Sequence, residues 1–512
     1  MATTFSTSTS PDPRRWLILG TVGVAQLMVV LDATIVNIAL PSAQRALGFT
    51  TVDRQWVVTA YALAFGSLLL FGGRLGDLIG RKITFLAGAL GFAAASAVGG
   101  AATSFGMLVT ARAAQGAFGA LLAPAALSIL TTTFSDPKER GKAFGVYGAI
   151  VGAGGAIGLV LGGVLTEYLT WRWCLYVNLI FAGLAVIGAV PLLKQQRARA
   201  GTRLYLPGVA LVSASMFCLV YGFSNAANHN WHTPSTYGFL AAGAALLAVF
   251  AWWQSRAASP LLPPRVVLDR NRGGAYLAVL TAGAGIFGVF LFLTYYLQQT
   301  LGYSPVVSGV AFLPLIATLV LAANLSNVML LPRLGPRPLV TAGLLLAAGS
   351  LVWLTRIGVH SSYASAVLGP LMAAGLGFGF TIAPSMNTGT FGVAPQDVGV
   401  VSATLNTGQQ IGGSIGTSLL NTIFASAVAH YLTSHLRPAT LVHGHPAAAL
   451  TEMSLIHGYT TGFWVAAAIF GAGAVTCGTL FRSGPLRASG SATPAPAPAR
   501  AAVQQATTAR SG

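Results

Sequence analysis

Charge is what this chain has least of. Only 7% of its 512 residues are Asp, Glu, Lys or Arg, where a soluble domain carries about a quarter. With 54% hydrophobic residues and a mean hydropathy of +0.71, that scarcity excludes a water-soluble globular protein. The apolar content is membrane content rather than one large core. Acids are scarcest, 10 against 28 Lys plus Arg. The cations sit singly in short loops between apolar runs, which is the positive-inside pattern and not a phosphate-binding patch, so no nucleic acid is expected as a partner. Cysteine is rare too. Cys174, Cys218 and Cys477 lie in apolar segments without metal-ligand spacing, so neither a disulfide frame nor a metal centre is expected. The GxxxxGK[ST] loop of ATP-driven machines is missing, and no further catalytic group accompanies the membrane acid described below, so the chain reads as no enzyme and as needing no cofactor. No cleavable-signal pattern is seen either. Residues 1–13 are polar and Ser/Thr/Pro-rich, and the apolar stretch from Trp16 is too long for a signal core, so it is expected to stay in the mature protein.

What the chain does have is long apolar runs. They recur near residues 16–40, 56–73, 83–101, 106–130, 142–165, 173–193, 206–224, 236–254, 273–299, 307–330, 339–356, 363–386, 398–427 and 458–481. This predicts about fourteen membrane spans. An even number puts both termini on one side. With the N-terminus inside, roughly 22 cations fall on inner loops and tails, and about five outside, namely Arg45, Arg54, Arg172, Arg356 and Arg437. All eight histidines then fall at outer loops or their edges, where they read as ordinary loop composition. The expected layout is a disordered cytoplasmic N-terminus (1–15), a six-helix bundle (16–194), a linker with two extra spans (195–272), a second six-helix bundle (273–482) and a disordered cytoplasmic tail (483–512) rich in Pro and Ala.

The chain also repeats. GALLAP at 119–124 in span four answers to GFTIAP at 379–384 in span twelve. Gly154, Gly158 and Gly162 in span five answer to Gly408, Gly412 and Gly416 in span thirteen, and LIGRK (78–82) has a decayed echo in RLGPR (333–337). Each offset is eight spans, so spans one to six correspond to nine to fourteen, with two inserted between. Related halves flanking a midplane site are a transporter architecture.

The chemistry centres on residues 31–41, LDATIVNIALP, which put Asp32 inside the first span. An acid at that depth is costly unless paired, solvated or protonated, and so marks a functional site. Helical rise places Asp32 roughly 12 Å below the outer end of span one, and Arg112 roughly 10 Å below the outer end of span four. Opposite charges at one depth are expected to pair. A rearrangement that separates them would let Asp32 take a proton, giving a proton switch; the competing reading is a static ion pair that fixes packing. GGRLGDLIGRK (72–82) lies at the inner side, where Gly73 and Gly76 allow close backbone approach and, if the turn is helical, Asp77 and Arg81 are spaced to pair. VGAGGAIGLVLGGVL in span five presents small residues at four-residue spacing, a face for close helix packing. Glu167 reads as an interfacial structural acid. Gln115, Tyr295, Tyr296, Gln298, Asn406 and Gln409 are candidates for lining a cargo cavity, although Tyr is also the usual interfacial anchor.

These motifs together resemble the major facilitator superfamily, and within it the fourteen-span drug–proton antiporters of the EmrB/QacA type. LDATIVNIALP is similar to that group's span-one motif, GGRLGDLIGRK to the superfamily's loop between spans two and three, and RAAQGAFGA (112–120) to the span-four motif. GAIGLVLGG (155–163) is similar to the antiporter span-five motif, except that Leu159 stands where Pro is usual; WRWCLYVNL, LQQTLGYSP and LNTGQQIGGSIG also look like this group. The resemblance runs from Trp16 to Phe481. It implies an all-α membrane protein with the major facilitator fold, about 14 transmembrane helices in two pseudo-symmetric six-helix bundles plus two inserted helices, rocking around a central cavity. It implies proton-coupling roles for Asp32 and Arg112, and a gating role for Gly73, Gly76, Asp77, Gly80 and Arg81. It further implies an antiport packing role for Gly154, Gly158, Gly162 and Gly163. The Leu159 departure puts a kink there in question, though not the small-residue face.

The expected function is proton-driven export of lipophilic small molecules, antibiotics among them, across the plasma membrane. The protein would be a multi-pass monomer in lipid, its partners cargo and protons. With no acid deep in spans ten to fourteen, neutral, zwitterionic or monocationic cargo is expected rather than dications. Two alternatives compete: a dedicated exporter of one self-made metabolite, or a membrane receptor that transports nothing.

Overall fold

A chain this apolar has to satisfy its backbone polar groups internally when surrounded by lipid, and the helix does so within a single segment. The computed structural model describes residues 13–50, 53–134, 137–195, 206–229, 233–256, 269–393, 398–436, 441–442, 445–446 and 448–486, and these are overwhelmingly helical. The helices are α1 (Arg15–Leu47), α2 (Gln55–Ile79), α3 (Arg81–Gly100), α4 (Phe105–Thr133), α5 (Pro137–Tyr168) and α6 (Trp173–Leu192). Then come α7 (Leu206–His229), α8 (Pro234–Arg256) and α9 (Arg270–Tyr295), the last extended by a π turn at Tyr296–Thr300. The short α10 (Pro305–Ala311), α11 (Leu313–Leu325) and α12 (Leu331–Leu334) follow end to end, and then α13 (Pro336–Leu354). The chain closes with α14 (Leu368–Thr390), α15 (Val398–His435) and α16 (Ala448–Leu480). A two-residue antiparallel pairing of Leu441–Val442 (β1) with His445–Pro446 (β2) lies between the last two helices.

Among the described residues, eleven helical stretches are long and apolar enough to cross a membrane, and three shorter apolar stretches (Gln55–Leu69, Ala153–Tyr168, Pro207–Leu219) lie on α2, α5 and α7. Side chains set the helix ends. Ser104 Oγ accepts from Met107 N at the start of α4, and Asp269 Oδ1 accepts from Asn271 N and Arg272 N at the start of α9. Gly48, at φ 70°, closes α1 in the left-handed conformation that costs glycine least. The expected inner loop after span two is almost absent: α2 continues to Ile79, and α3 begins at Arg81 after the single residue Gly80, at φ 96°.

The sequence repeat has a spatial counterpart. In α5, Gly154, Gly158 and Gly162 lie against Leu27, Val30, Leu31, Thr34 and Ile35 of α1. In α15, Gly412 and Gly416 lie against Leu280 and Ala284 of α9 in the same way. Pro124 of α4 and Pro384 of α14 both sit inside their helices. The hairpin of α7 and α8 packs through α7 on both α2 and α15.

One end of the molecule, here called distal, carries the turn from α1 to α2; the proximal end carries the start of α1 and the α2–α3 junction. Helices from the two halves of the chain meet closely at the distal end. Gly163 of α5 faces Pro305 O and Val306 Cα, positions a Cβ would approach to 2.6 Å. Glu167 Oε2 accepts from Val306 N at 3.0 Å, Tyr295 Oη donates to Gln44 Oε1 at 2.6 Å, and Gln298 Nε2 donates to Ile38 O at 3.2 Å. At the proximal end, Arg15 pairs with Glu139 at 2.7 Å within the first half.

A candidate proton site between the first, fourth and sixth helices

Asp32 is 0% exposed and Arg112 1% exposed. Four helices assemble the site around them. α1 brings Asp32, α4 brings Arg112 and, one turn on, Gln115; α3 brings Ser96 and α6 brings Asn178. The small-residue face of α5 permits this arrangement by letting α1 sink against it. A Cβ on Gly158 would stand 2.0 Å from Thr34 Oγ1 and 3.1 Å from Leu31 O, so the residue beside Asp32 is backed by bare backbone.

Arg112 Nη1 donates to Asp32 Oδ2 at 2.5 Å and to Gln115 Oε1 at 2.9 Å, while its Nε donates to Val57 O at 3.0 Å. Asp32 Oδ1 accepts from Asn178 Nδ2 at 2.7 Å and from Gln115 Nε2 at 3.0 Å. Gln115 Nε2 also donates to Ser96 Oγ at 2.7 Å. The Arg112 guanidinium lies 4.5 Å from the centroid of the Tyr61 ring, within cation–π range. Both carboxylate oxygens are thus held by charged or amide donors. Charge-assisted bonds of this kind are about twice as strong as neutral ones, and polar groups buried this deeply are costly without such partners. On the distal side of Arg112 is a cavity of ≈ 10 Å³, lined by Val36, Ala39, Val57, Leu108, Trp171 and Cys174 among others, about the size of one water.

The other sequence candidates lie elsewhere. Gly73 and Gly76 have only ordinary contacts, 3.7 Å to Pro124 and 3.8 Å to Thr84; the close approach of α2 to α4 is at Gly72, where a Cβ would meet Ala120 O at 2.0 Å. Arg81 Nη1 donates to Ser128 O at 3.4 Å. The Asp77 side chain lies outside the described residues. Tyr295 and Tyr296, 1% and 0% exposed, do not line an open cavity in this structure: Tyr295 is in the distal contact with Gln44, and Tyr296 Oη donates to Gly358 O. Gln298 is likewise a distal contact. Asn406 is exposed and bonds its own helix at Ser402 O, and Gln409 is half-buried on α15. Of the cavity candidates only Gln115 joins the charged site. Sequence reading missed Asn178, Ser96 and Tyr61. Asn178 was findable, because an amide within the very apolar α6 is as costly there as any intramembrane polar group. Arg54, counted as an outer-loop cation, is instead 1% exposed between helices.

The fold and this site define a helical membrane transporter. The family model for the Major Facilitator Superfamily matches residues 22–417, and the chain belongs to that superfamily. It is 49% identical over 453 residues to the puromycin resistance protein pur8 of Streptomyces alboniger, covering 88% of each chain. It is 39% identical to the cephamycin export protein CmcT of Amycolatopsis lactamdurans, over 78% of this chain and 83% of that one. To the tetracenomycin C resistance and export protein of Streptomyces glaucescens it is 37% identical, over 81% and 77%. Among solved structures, an inward-facing, unoccupied bacterial homolog of the human lysosomal transporter Spinster superposes with a TM-score of 0.61 at 18% identity, covering 91% of this chain and 98% of that one. Its relatives are thus antibiotic resistance and export transporters, and the chain is a multi-pass membrane transporter for small molecules.

Proposed function

We propose that the protein exports antibiotic-like, lipophilic small molecules across the bacterial plasma membrane in exchange for protons, by alternating access. The observation that carries this reading is the buried Asp32 clasped by Arg112 from another helix. In the resting arrangement Arg112, Gln115 and Asn178 hold Asp32 as a carboxylate. When α1 and α4 shift so that Arg112 no longer reaches Oδ2, Asp32 accepts a proton from the outer side, and Arg112 falls back on Val57 O, Gln115 and the Tyr61 ring. Return of the pair expels the proton inward. The energy is an ion gradient: each entering proton supplies roughly 2.3 kcal/mol per 100 mV, and about 1.4 kcal/mol per pH unit.

In this reading the helices form fourteen spans, as two six-helix bundles with α7 and α8 inserted between them, and both termini are cytoplasmic. The contacts at the distal end then make this the outer-closed state. Cargo is neutral, zwitterionic or monocationic. A dedicated exporter of one self-made compound is the second reading, favoured by relatives whose names each specify a single compound.

Inverted membrane vesicles energised by a pH gradient test the coupling. Uptake of ethidium and of puromycin should be uphill with the unmodified protein, and reduced to passive leak with Asp32→Asn or Arg112→Ala. If Asp32→Asn still accumulates either compound against its gradient, proton coupling at Asp32 is wrong. Uptake of puromycin without ethidium selects the dedicated exporter, and uptake of neither by the unmodified protein favours a non-transporting role.

A further inference from the structure

Arg54, just before α2, is the one fully buried cation among the described residues, Arg112 aside. No carboxylate lies within ion-pair distance of it among those residues. Its neighbours come from helices of the other half of the chain. The guanidinium carbon lies 4.0 Å from the Tyr295 ring centroid of α9 and 5.0 Å from the Phe424 ring of α15. Its Nη2 donates to Asn421 Oδ1 at a long 3.4 Å. Phe424 is in turn stacked on Tyr459 of α16 at 5.0 Å, and packs on Phe292 at 5.5 Å, so the cage is part of a wider aromatic cluster. Inside it, Arg54 Nε and Asn421 Nδ2 are buried without a hydrogen-bond partner.

Two opposing effects therefore meet at one residue. A buried cation without a counter-charge, with a donor left unsatisfied, raises the energy of the closed interface. A planar guanidinium between two aromatic faces lowers it. Opening the distal end would wet the guanidinium and relieve the first effect at the expense of the second. We propose that Arg54 is the positioning residue of the distal gate: its uncompensated charge drives the closed interface apart, while Tyr295 and Phe424 hold it shut. This rests on the alternating-access reading above, and adds to it what keeps the closed state shallow enough to leave.

Charge and cage can be separated by variants. Arg54→Met removes the charge and keeps the volume, so it deepens closure. Tyr295→Leu and Phe424→Leu remove the cage and keep the charge, so they favour opening, as does Arg54→Lys, which keeps the charge and loses the planar stack. Spin labels at Ala46→Cys and Thr433→Cys, exposed positions near the distal ends of α1 and α15, report the separation by double electron–electron resonance in nanodiscs, with the three native cysteines replaced. The parent is expected to show a short and a long distance. Arg54→Met should raise the short-to-long ratio at least threefold, and each of the other three variants should lower it by a similar factor. If Arg54→Met and the cage variants move the ratio the same way, as loss of ordinary packing would, or if neither moves it, the proposal is overturned. A single distance in the parent at every pH from 5 to 8 overturns alternating access itself.

Discussion

At the residue scale, the decisive feature is that Asp32 is not merely paired but enclosed. Arg112 supplies the charge, while Asn178 and Gln115 fill the lone pairs a lone arginine would leave open. Removing a hydrogen bond to a charged group costs about 1.5–3 kcal/mol, or roughly 10- to 100-fold in an equilibrium. Asn178→Leu is therefore expected to cut proton-driven efflux at least about tenfold while the protein still inserts and purifies as a monodisperse species; unchanged efflux would show that Asn178 only fills space. The Asp32–Arg112 contact was legible in the sequence because helical rise is constant, so two depths could be computed from two spans. Asn178 was less so, since its span carries no charge to draw attention. Arg54 was not legible at all. Charge counting assigns every cation beside a short loop to water, and only packing shows that this one is roofed by rings from a distant part of the chain.

At the scale of elements, small side chains do the positioning. The glycine row of α5 lets α1 approach until Gly158 touches Thr34 and the backbone of Leu31. Overpacking a close contact typically costs 1–3 kcal/mol. Gly158→Val is expected to lower thermal stability in detergent and abolish efflux. Gly155→Ala, whose new methyl would meet nothing closer than Ile316 at 3.9 Å, should leave both near the parent's values. Leu159, which stands where Pro is usual in the antiporter motif, is fully buried in an unbroken α5. The spacing of the row was readable because small residues recur every four positions. Which helix it meets was not, since periodicity identifies a face and not its partner. Helix ends shifted for a similar reason: charged residues near Asp77 suggested a loop, yet a helix reaching headgroup depth tolerates them, and only Gly80 interrupts it.

At the scale of the whole molecule, the repeat and the distal contacts join. Gly163 meets the α10 backbone so closely that a side chain has no room. Gly163→Val should hold the distal end apart and, with the labels at positions 46 and 433, shift the distance distribution towards the longer value. A change towards the shorter value would mean that this contact does not close the interface.

The repeat also exposes an imbalance. Gly158 backs Leu31, and Gly412 backs Leu280 in the matching place, so Thr281 occupies the position that Asp32 holds in the first half. Under the proposed proton exchange, with Asp32 the one buried acid among the described residues, the exchange at this site is expected to run one for one. A neutral cargo then leaves a net positive charge moving inward and draws on voltage as well as acidity, whereas a monovalent cation leaves no net current and draws on acidity alone. Clamping the membrane potential at zero with valinomycin and potassium should slow export of the uncharged compound and spare the cation, making the electrical signature of each turnover a property of the passenger rather than of the carrier.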